Sequence, residues 1–184
     1  MRNVLRDVLD RRVNSVLQQN AQQRLVDGTG ACSSDMEPIG AGFAGYDMNY
    51  YARGALYIEA LQMFAPDLKL TTKDTENAAV QARFNAREIP LAKFRLPADQ
   101  RYFRVAICLV RLQPELSTDL VIRDHTPPAT FRIEAAIVNR AKSCIGNARR
   151  VNFDPAQLRF YLGEALYRWT LAARGVDTLI PAEG

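Results

Sequence analysis

The chain is poor in the residues on which most metalloproteins and many enzymes depend. His125 is its one histidine, and the three cysteines, Cys32, Cys108 and Cys144, form no C-x-x-C pair. No recognisable zinc pattern can be built from them, and the sequence places no nucleophile beside His125. We interpret His125 as a surface-loop residue and the cysteines as reduced thiols of a protein made in the cytosol. We therefore expect no enzyme, and no catalytic, metal-binding or cofactor-binding residues.

Long apolar runs are missing as well. None approaches the roughly 20 residues of a membrane helix. The N-terminal stretch "MRNVLRDVLDRRVNSVLQQN" mixes charges with apolar residues, where a signal peptide would have an unbroken apolar segment. We expect neither a membrane partner nor export. With 184 residues, 48% of them hydrophobic, the chain can form a single domain, residues 1–184, with a sizeable core.

A dense basic block is also absent. The formal net charge is +4, and the excess of Lys and Arg lies in residues 93–184. The densest basic group is Arg149 and Arg150, preceded by Arg140 and Lys142. We interpret these charges as solvated helix faces and helix C-terminal caps. The alternative is contact with nucleic-acid phosphates or with an acidic protein surface.

One motif suggests a nucleotide site. "GAGFAG", Gly40 to Gly45, has the G-x-G-x-x-G spacing of a dinucleotide-binding turn. That turn needs a buried strand before the first glycine and an acid at the end of a second strand. Here the preceding residues are "CSSDMEP", and the next acids, Glu59 and Asp67, lie in or just beyond a predicted helix. We therefore expect no cofactor here.

Apolar residues at three- and four-residue spacing predict five helices. Local signals mark their ends: Asp47 and Thr71 or Thr72 as N-caps, Asp154 before Pro155 at the start of the last helix, and Gly175 at its end. The predicted helices are Val4–Leu25, Met48–Phe64, Thr71–Ile89, Phe131–Asn147 and one from Pro155 to about Gly175.

Residues 101–112, "RYFRVAICLVRL", fit two periods. Phe103, Val105, Ile107 and Leu109 alternate as in a buried strand, while a helical spacing fits the same stretch. The β-branched and aromatic content favours the strand, with "DLVIRDH", residues 119–125, as its hairpin partner. The preceding "IPLAKFRLP" is bracketed by prolines and predicted to be extended. The predicted fold class is therefore mainly α, a helical bundle with a small β-hairpin.

Residues 26–47 predict a long glycine-rich loop. Five of the ten glycines lie there, and such a stretch buries too little apolar surface to offset its conformational entropy. Loops of this length without internal structure are commonly functional or disordered. We expect the N-terminal helix, this loop and the C-terminal tail, residues 176–184, to act as interaction arms. Within them, Phe43 and Tyr46 are the candidate partner contacts, as are Arg149 and Arg150 elsewhere.

The segment from Tyr50 to Ile89 resembles the helical hairpin of tailed-bacteriophage head-to-tail adaptor proteins, of the connector or tail-tubular type. It has an Ala/Arg-rich helix, "ARGALYIEAL", a polar turn, "APDLKLTTKD", and a second Ala/Arg-rich helix, "NAAVQARFNARE". The match covers under a quarter of the chain. The glycine-rich loop before it and the predicted strands after it depart from the family pattern.

The resemblance implies a non-catalytic structural subunit of a virion neck. Such subunits form a homo-oligomeric ring that joins the portal protein to the tail proteins, and DNA passes through the lumen. The protein would be synthesised in the host cytoplasm and end in the virion. The alternative is a nucleic-acid-binding or other non-catalytic interaction module of a large complex.

Overall fold

The computed structural model describes residues 2–29, 46–146 and 154–182. Within these ranges the chain is mainly α-helical, which confirms the predicted fold class. Two short 3-10 helices, Ala92–Phe94 and Lys142–Ile145, supplement the α-helices. In chain order the α-helices are α1 Arg2–Asp10, α2 Val16–Thr29, α3 Tyr46–Phe64, α4 Thr72–Glu76, α5 Ala78–Leu91, α6 Pro97–Leu112, α7 Pro114–Ile122, α8 Pro127–Arg140 and α9 Pro155–Arg174.

Helix α9 is the centre of the bundle, and α3, α5, α6 and α7 pack around it. Every residue from Tyr161 to Ala172 is buried. Its predicted ends are confirmed: the Asp154 side chain accepts a hydrogen bond from the Ala156 amide, and Gly175 ends the helix in the left-handed conformation. Because α9 is enclosed on all sides, its polar residues lie in the core together with its apolar ones.

Two glycines allow α3 to approach α9 closely. A Cβ on Gly54 would lie 2.4 Å from the Cβ of Phe160, and a Cβ on Gly163 would lie 2.8 Å from Cγ1 of Ile58. Both distances are shorter than carbon atoms tolerate, so larger residues would push the two helices apart. This close approach brings the buried polar side chains of α3 up to those of α9.

The predicted helix Val4–Leu25 is wrong as a single element, since residues 11–15 separate α1 from α2. Asn14 has a φ of 61°, in the left-handed region that asparagine tolerates better than most residues. Its side chain donates to the Phe94 carbonyl at 3.3 Å and accepts from Arg53 at 3.2 Å. These long-range bonds hold the turn, and a local apolar pattern cannot reveal them.

The predicted β-hairpin is wrong. Residues 101–112 belong to α6, and residues 119–122 belong to α7. Each helix begins with a proline at its first position, Pro97 and Pro114, where the missing amide costs nothing. Of the extended segment predicted for 89–97, only Arg95 and Leu96 have extended backbone. Packing on α9 outweighs the strand propensity of this sequence.

Other predicted bounds also change. The helix predicted for Thr71–Ile89 is two helices, because Asn77 ends α4 and caps α5. The predicted cap at Thr71 is confirmed as a capping box with Asp74. Residues 142–145 form a 3-10 helix beyond α8. Asp47 lies inside α3 and does not cap it, because α3 includes Tyr46.

The cysteine prediction is wrong for two residues. Cys108 on α6 and Cys144 in the second 3-10 helix form a disulfide, with their Cα atoms 5.5 Å apart. Their sequence separation of 36 gave no indication of this pairing. The bond ties the segment after α8 to α6.

The described part of the C-terminal tail, residues 176–182, packs on its own chain. Ile180 is 2% exposed in the core, and its carbonyl accepts from Arg6 at 3.2 Å. Arg87 donates to the Val176 carbonyl, also at 3.2 Å. Among the described residues, no helix has both the length and the apolar character needed to span a membrane.

Candidate functional site: a buried charge network and its flanking groove

The residues predicted to contact partners lie largely outside the described chain. Phe43, Arg149 and Arg150 fall in the undescribed ranges, as does Gly40–Gly45. Tyr46 belongs to α3, but its side chain is among those not described. The predicted loop 26–47 was too long at both ends, because α2 includes residues 26–29 and α3 includes residues 46 and 47.

His125 lies in the connection between α7 and α8. Its Nε2 lies 3.0 Å from the Asp119 carbonyl and 3.5 Å from Oδ2 of the same residue. Its partner is therefore Asp119, on α7, and not the adjacent Asp124. No group of three or more His, Cys, Asp or Glu side chains within the described ranges could hold a metal ion.

The polar centre of the bundle is Glu164 on α9. Arg95 pairs with both oxygens of its carboxylate, Arg53 Nε lies 3.9 Å from Oε2, and Arg168 Nη2 lies 3.9 Å from Oε1. The side chains of Glu164 and all three arginines are at most 3% exposed. Three cations thus surround one carboxylate in the core.

A second acid, Asp99 in the first turn of α6, balances part of that positive charge. Its Oδ2 lies 3.1 Å from Arg95 Nη1 and 3.5 Å from Arg53 Nη2. The Tyr161 hydroxyl donates to Oδ1 at 3.0 Å. The N-terminus of a helix also favours a carboxylate. Asp99 therefore joins α6 to both α3 and α9.

Arg168 extends the network by one turn along α9. Its Nη2 donates to the Tyr57 hydroxyl at 2.6 Å, and Tyr57 donates to the Leu9 carbonyl at 2.9 Å. Its Nε lies 3.4 Å from Oε1 of Glu88, and its Nη1 lies 3.9 Å from Oδ1 of Asp10. One guanidinium is thus shared by groups from α1, α3 and α5.

This environment shifts the pKa of Glu164 and the pKa of Glu88 in opposite directions. Burial alone would raise the pKa of Glu164, but the surrounding arginines hold it below its ordinary value. Burial raises the pKa of Glu88, and that of Asp10, because their ion pairs do not fully offset the loss of hydration. Burial likewise raises the pKa of Tyr167 to about 12. Glu164 is therefore the well-compensated acid, and Glu88 is not.

This network connects α1, α3, α5, α6 and α9 with charges that largely cancel. Such an arrangement fixes helix geometry. Sequence reasoning missed it, although one signal was present. Glu164 and Arg168 stand four residues apart in the predicted last helix, outside its apolar stripe, and opposite charges at this spacing commonly pair on a helix.

A groove opens beside the network, between α5 and α6. A cavity of about 380 Å³ there reaches Glu88 and Arg95 at its floor. A second cavity, of about 260 Å³, lies next to it and extends to Trp169. The residues that line both are Phe84, Asn85, Arg104 and Ile107. Trp169 is a core residue and stacks on Phe84 with ring centroids 4.2 Å apart.

One end of the bundle exposes large apolar side chains. The turn after α1 meets the end of α5 there, since the Val13 amide donates to the Leu91 carbonyl at 3.3 Å and Asn14 bonds to Phe94. The exposed side chains around these contacts, hereafter the apolar end, are Val16, Leu17, Ile89, Phe94 and Leu96. Val16, Leu17 and Ile89 are 72%, 60% and 75% exposed. Clusters of this kind mark interaction surfaces.

No protein-family model, no curated protein and no solved structure matches this chain.

Proposed function

We propose that this protein is a non-catalytic structural subunit of a large assembly, and that the assembly is a virion neck in which it forms a head-to-tail adaptor ring. The observation that carries the proposal is the apolar end. It includes five large exposed side chains, which cost free energy in water and gain it against a partner. A ring of identical subunits would cover this surface on every copy.

The buried charge network supports a structural role. Breaking a buried pair by removing one partner costs about 3–5 kcal/mol, so the helices resist rearrangement around Glu164. A ring subunit that bears load between a capsid and a tail benefits from such rigidity.

The resemblance in Tyr50–Ile89 contributes less to the proposal than the apolar end does. Its two helices correspond to α3 and α5, but α4 lies between them in the chain, and each packs against α9. The segment is therefore part of a bundle and not a separate two-helix hairpin. The neck assignment follows from the resemblance, and the expectation of an interface follows from the exposed side chains.

Size-exclusion chromatography with light scattering, alone and with a candidate portal protein, tests the proposal. We expect discrete oligomers or a portal complex, and we expect Leu17→Glu combined with Ile89→Glu to abolish them. Met63→Glu is the matched control: Met63 is 58% exposed but lies ten residues, about 15 Å, along α3 from Arg53, which contacts the turn at Asn14. Met63→Glu should assemble normally.

The proposal fails if the unaltered protein stays monomeric at high concentration and binds no portal or tail protein. Monomers that bind DNA, with an affinity that falls steeply as salt rises, would instead favour the alternative of a nucleic-acid-binding module. Equal loss of assembly in Met63→Glu would show that the apolar end is not the specific contact.

A further inference from the structure

Glu88 is a buried carboxylate whose hydrogen-bonding capacity is unused. Its residue is 7% exposed, and neither oxygen accepts a hydrogen bond from any described group. Among the described residues, the cation that pairs with it is Arg168, whose Nε lies 3.4 Å away. That guanidinium is shared with Asp10, Glu164 and Tyr57. A buried carboxylate left without donors is costly.

Glu88 is one of the residues that line the cavity of about 380 Å³ between α5 and α6. The volume lies in the range of small-molecule sites, which combine apolar walls with a few polar groups. Here the walls are largely apolar, and Asn85 and Gln100 contribute amides. The apolar wall residues are Phe84, Ile89, Ala92, Phe103 and Ile107.

We propose that this groove is a binding site for a small molecule that carries a guanidinium or primary ammonium group on an apolar stem. The oxygens of Glu88 are closed to solvent, so its side chain would turn toward the cavity to accept hydrogen bonds from the cationic group. The stem would lie on Ala92 and Ile107, which are partly exposed. A charged donor on a carboxylate is among the stronger hydrogen bonds in proteins. The site shares Ile89 with the apolar end, but it does not depend on the neck proposal.

The arginines in the groove do not favour an anion. The Arg95 guanidinium is held by Glu164 and Asp99 and lies over the Phe103 ring, 3.7 Å from its centroid. Arg104 is exposed, so water and salt screen its charge. Burial raises the pKa of Glu88, so a cation bound beside it would favour its charged form.

The test uses a matched pair of probes, 3-phenylpropylguanidinium and the neutral 3-phenylpropylurea, which have similar shapes. Titration of the whole protein followed by NMR should give a dissociation constant of about 1 mM for the guanidinium, as expected for a ligand of this size. The urea should bind at least tenfold more weakly, because it lacks the charge.

Three variants locate the site. Glu88→Gln should remove the tenfold preference, and Asn85→Trp, at the exposed rim, should weaken both probes by filling the groove. Glu59→Gln, an exposed acid on α3, should bind like the unaltered protein. Asn85→Trp leaves the charge network intact, so it remains informative if Glu88→Gln fails to fold. Equal binding of the two probes would overturn the proposal, and so would an unchanged preference in Glu88→Gln. Guanidinium binding that does not saturate up to ~10 mM, ten times the expected constant, would also overturn it.

Discussion

Arg168 and Tyr57 meet inside the bundle, where the guanidinium donates to the tyrosine hydroxyl at 2.6 Å. The same hydroxyl donates to the Leu9 carbonyl at 2.9 Å, so one oxygen connects α9, α3 and α1. The guanidinium also lies 5.3 Å from the centroid of the Tyr57 ring. These two hydrogen bonds attach α1 to the centre of the bundle.

Tyr57→Phe therefore should destabilise the protein by about 1–3 kcal/mol. The change removes one hydroxyl and leaves Arg168 without its hydrogen bond, since Nε and Nη1 of Arg168 already make none with the described residues. Chemical denaturation measures the loss, and amide exchange should quicken in α1. Tyr57→Leu, which also removes the ring, should cost more. An unchanged midpoint in Tyr57→Phe would show that water replaces the bond at no cost.

Glu164 and Glu88 should respond differently to removal of their charge. Glu164→Gln leaves Arg53, Arg95 and Arg168 around a neutral group, and we expect a loss of about 3–5 kcal/mol. Glu88→Gln removes a charge that burial disfavours, so the denaturant concentration at the midpoint of unfolding at pH 7 should not fall. Equal losses in the two variants would contradict the view that only Glu164 is well compensated.

The same contrast predicts a dependence of stability on pH. Glu88 has a folded-state pKa above its ordinary 4.5, so the folded state binds more protons there and stability falls as pH rises through that raised pKa. Glu164, whose pKa is lowered, stabilises above about pH 4.5 and loses that contribution as pH falls through its folded pKa. Between pH 7 and 4.5 the unaltered protein should gain more stability on acidification than Glu88→Gln does. Parallel curves of unfolding free energy would refute this.

Reduction of the disulfide should destabilise the fold. Cys108 and Cys144 close a loop with a sequence separation of 36, for which chain entropy gives about 4 kcal/mol. Cys108→Ser combined with Cys144→Ser should lower Tm as reductant does, and reductant should then have no further effect. Cys32→Ser serves as the control and should leave Tm unchanged. Denatured, unreduced protein should titrate with one free thiol, and three would disprove the bond.

How far the sequence predicts this molecule depends on whether the decisive contacts are local. Asp154, Pro155 and Gly175 act on their own helix, and both ends of α9 were predicted correctly. Asn14 bonds to Phe94, eighty residues away, so the break between α1 and α2 could not be predicted from periodicity.

The candidate site was missed for the same reason. Glu164 pairs with Arg53 and Arg95, which come from two other segments of the chain. These pairs form only when the neighbouring helices enclose α9, so no local pattern indicates them. Residues 101–112 were predicted as a strand from their own composition, whereas their environment is set by α9. Local caps can be derived from single residues, but buried ion pairs require the tertiary structure.

The contact between α3 and α9 gives a final prediction, in which two harmful changes partly cancel. In Gly163→Ala the new Cβ would lie 2.8 Å from Ile58 Cγ1, and the clash should cost about 1–3 kcal/mol, more than the roughly 1 kcal/mol that alanine gains in a helix. Ile58→Ala alone leaves a cavity and should cost about 2–5 kcal/mol.

In the double variant the alanine at 58 makes room for the Cβ at 163. We therefore expect a combined loss smaller than the sum by about 0.5–3 kcal/mol, measured as a double-mutant cycle from denaturation curves. The losses from Gly163→Ala and Ala55→Ser should be additive, because Ala55 is an exposed site on α3, the helix that carries Ile58. Arg53 lies next to Gly54 on α3, and Tyr57 lies three residues after it. A wider spacing between α3 and α9 would therefore also pull these two side chains away from Glu164 and Arg168. Additivity of the 58/163 pair would mean that the helices separate freely and that the glycines do not set the geometry of the network.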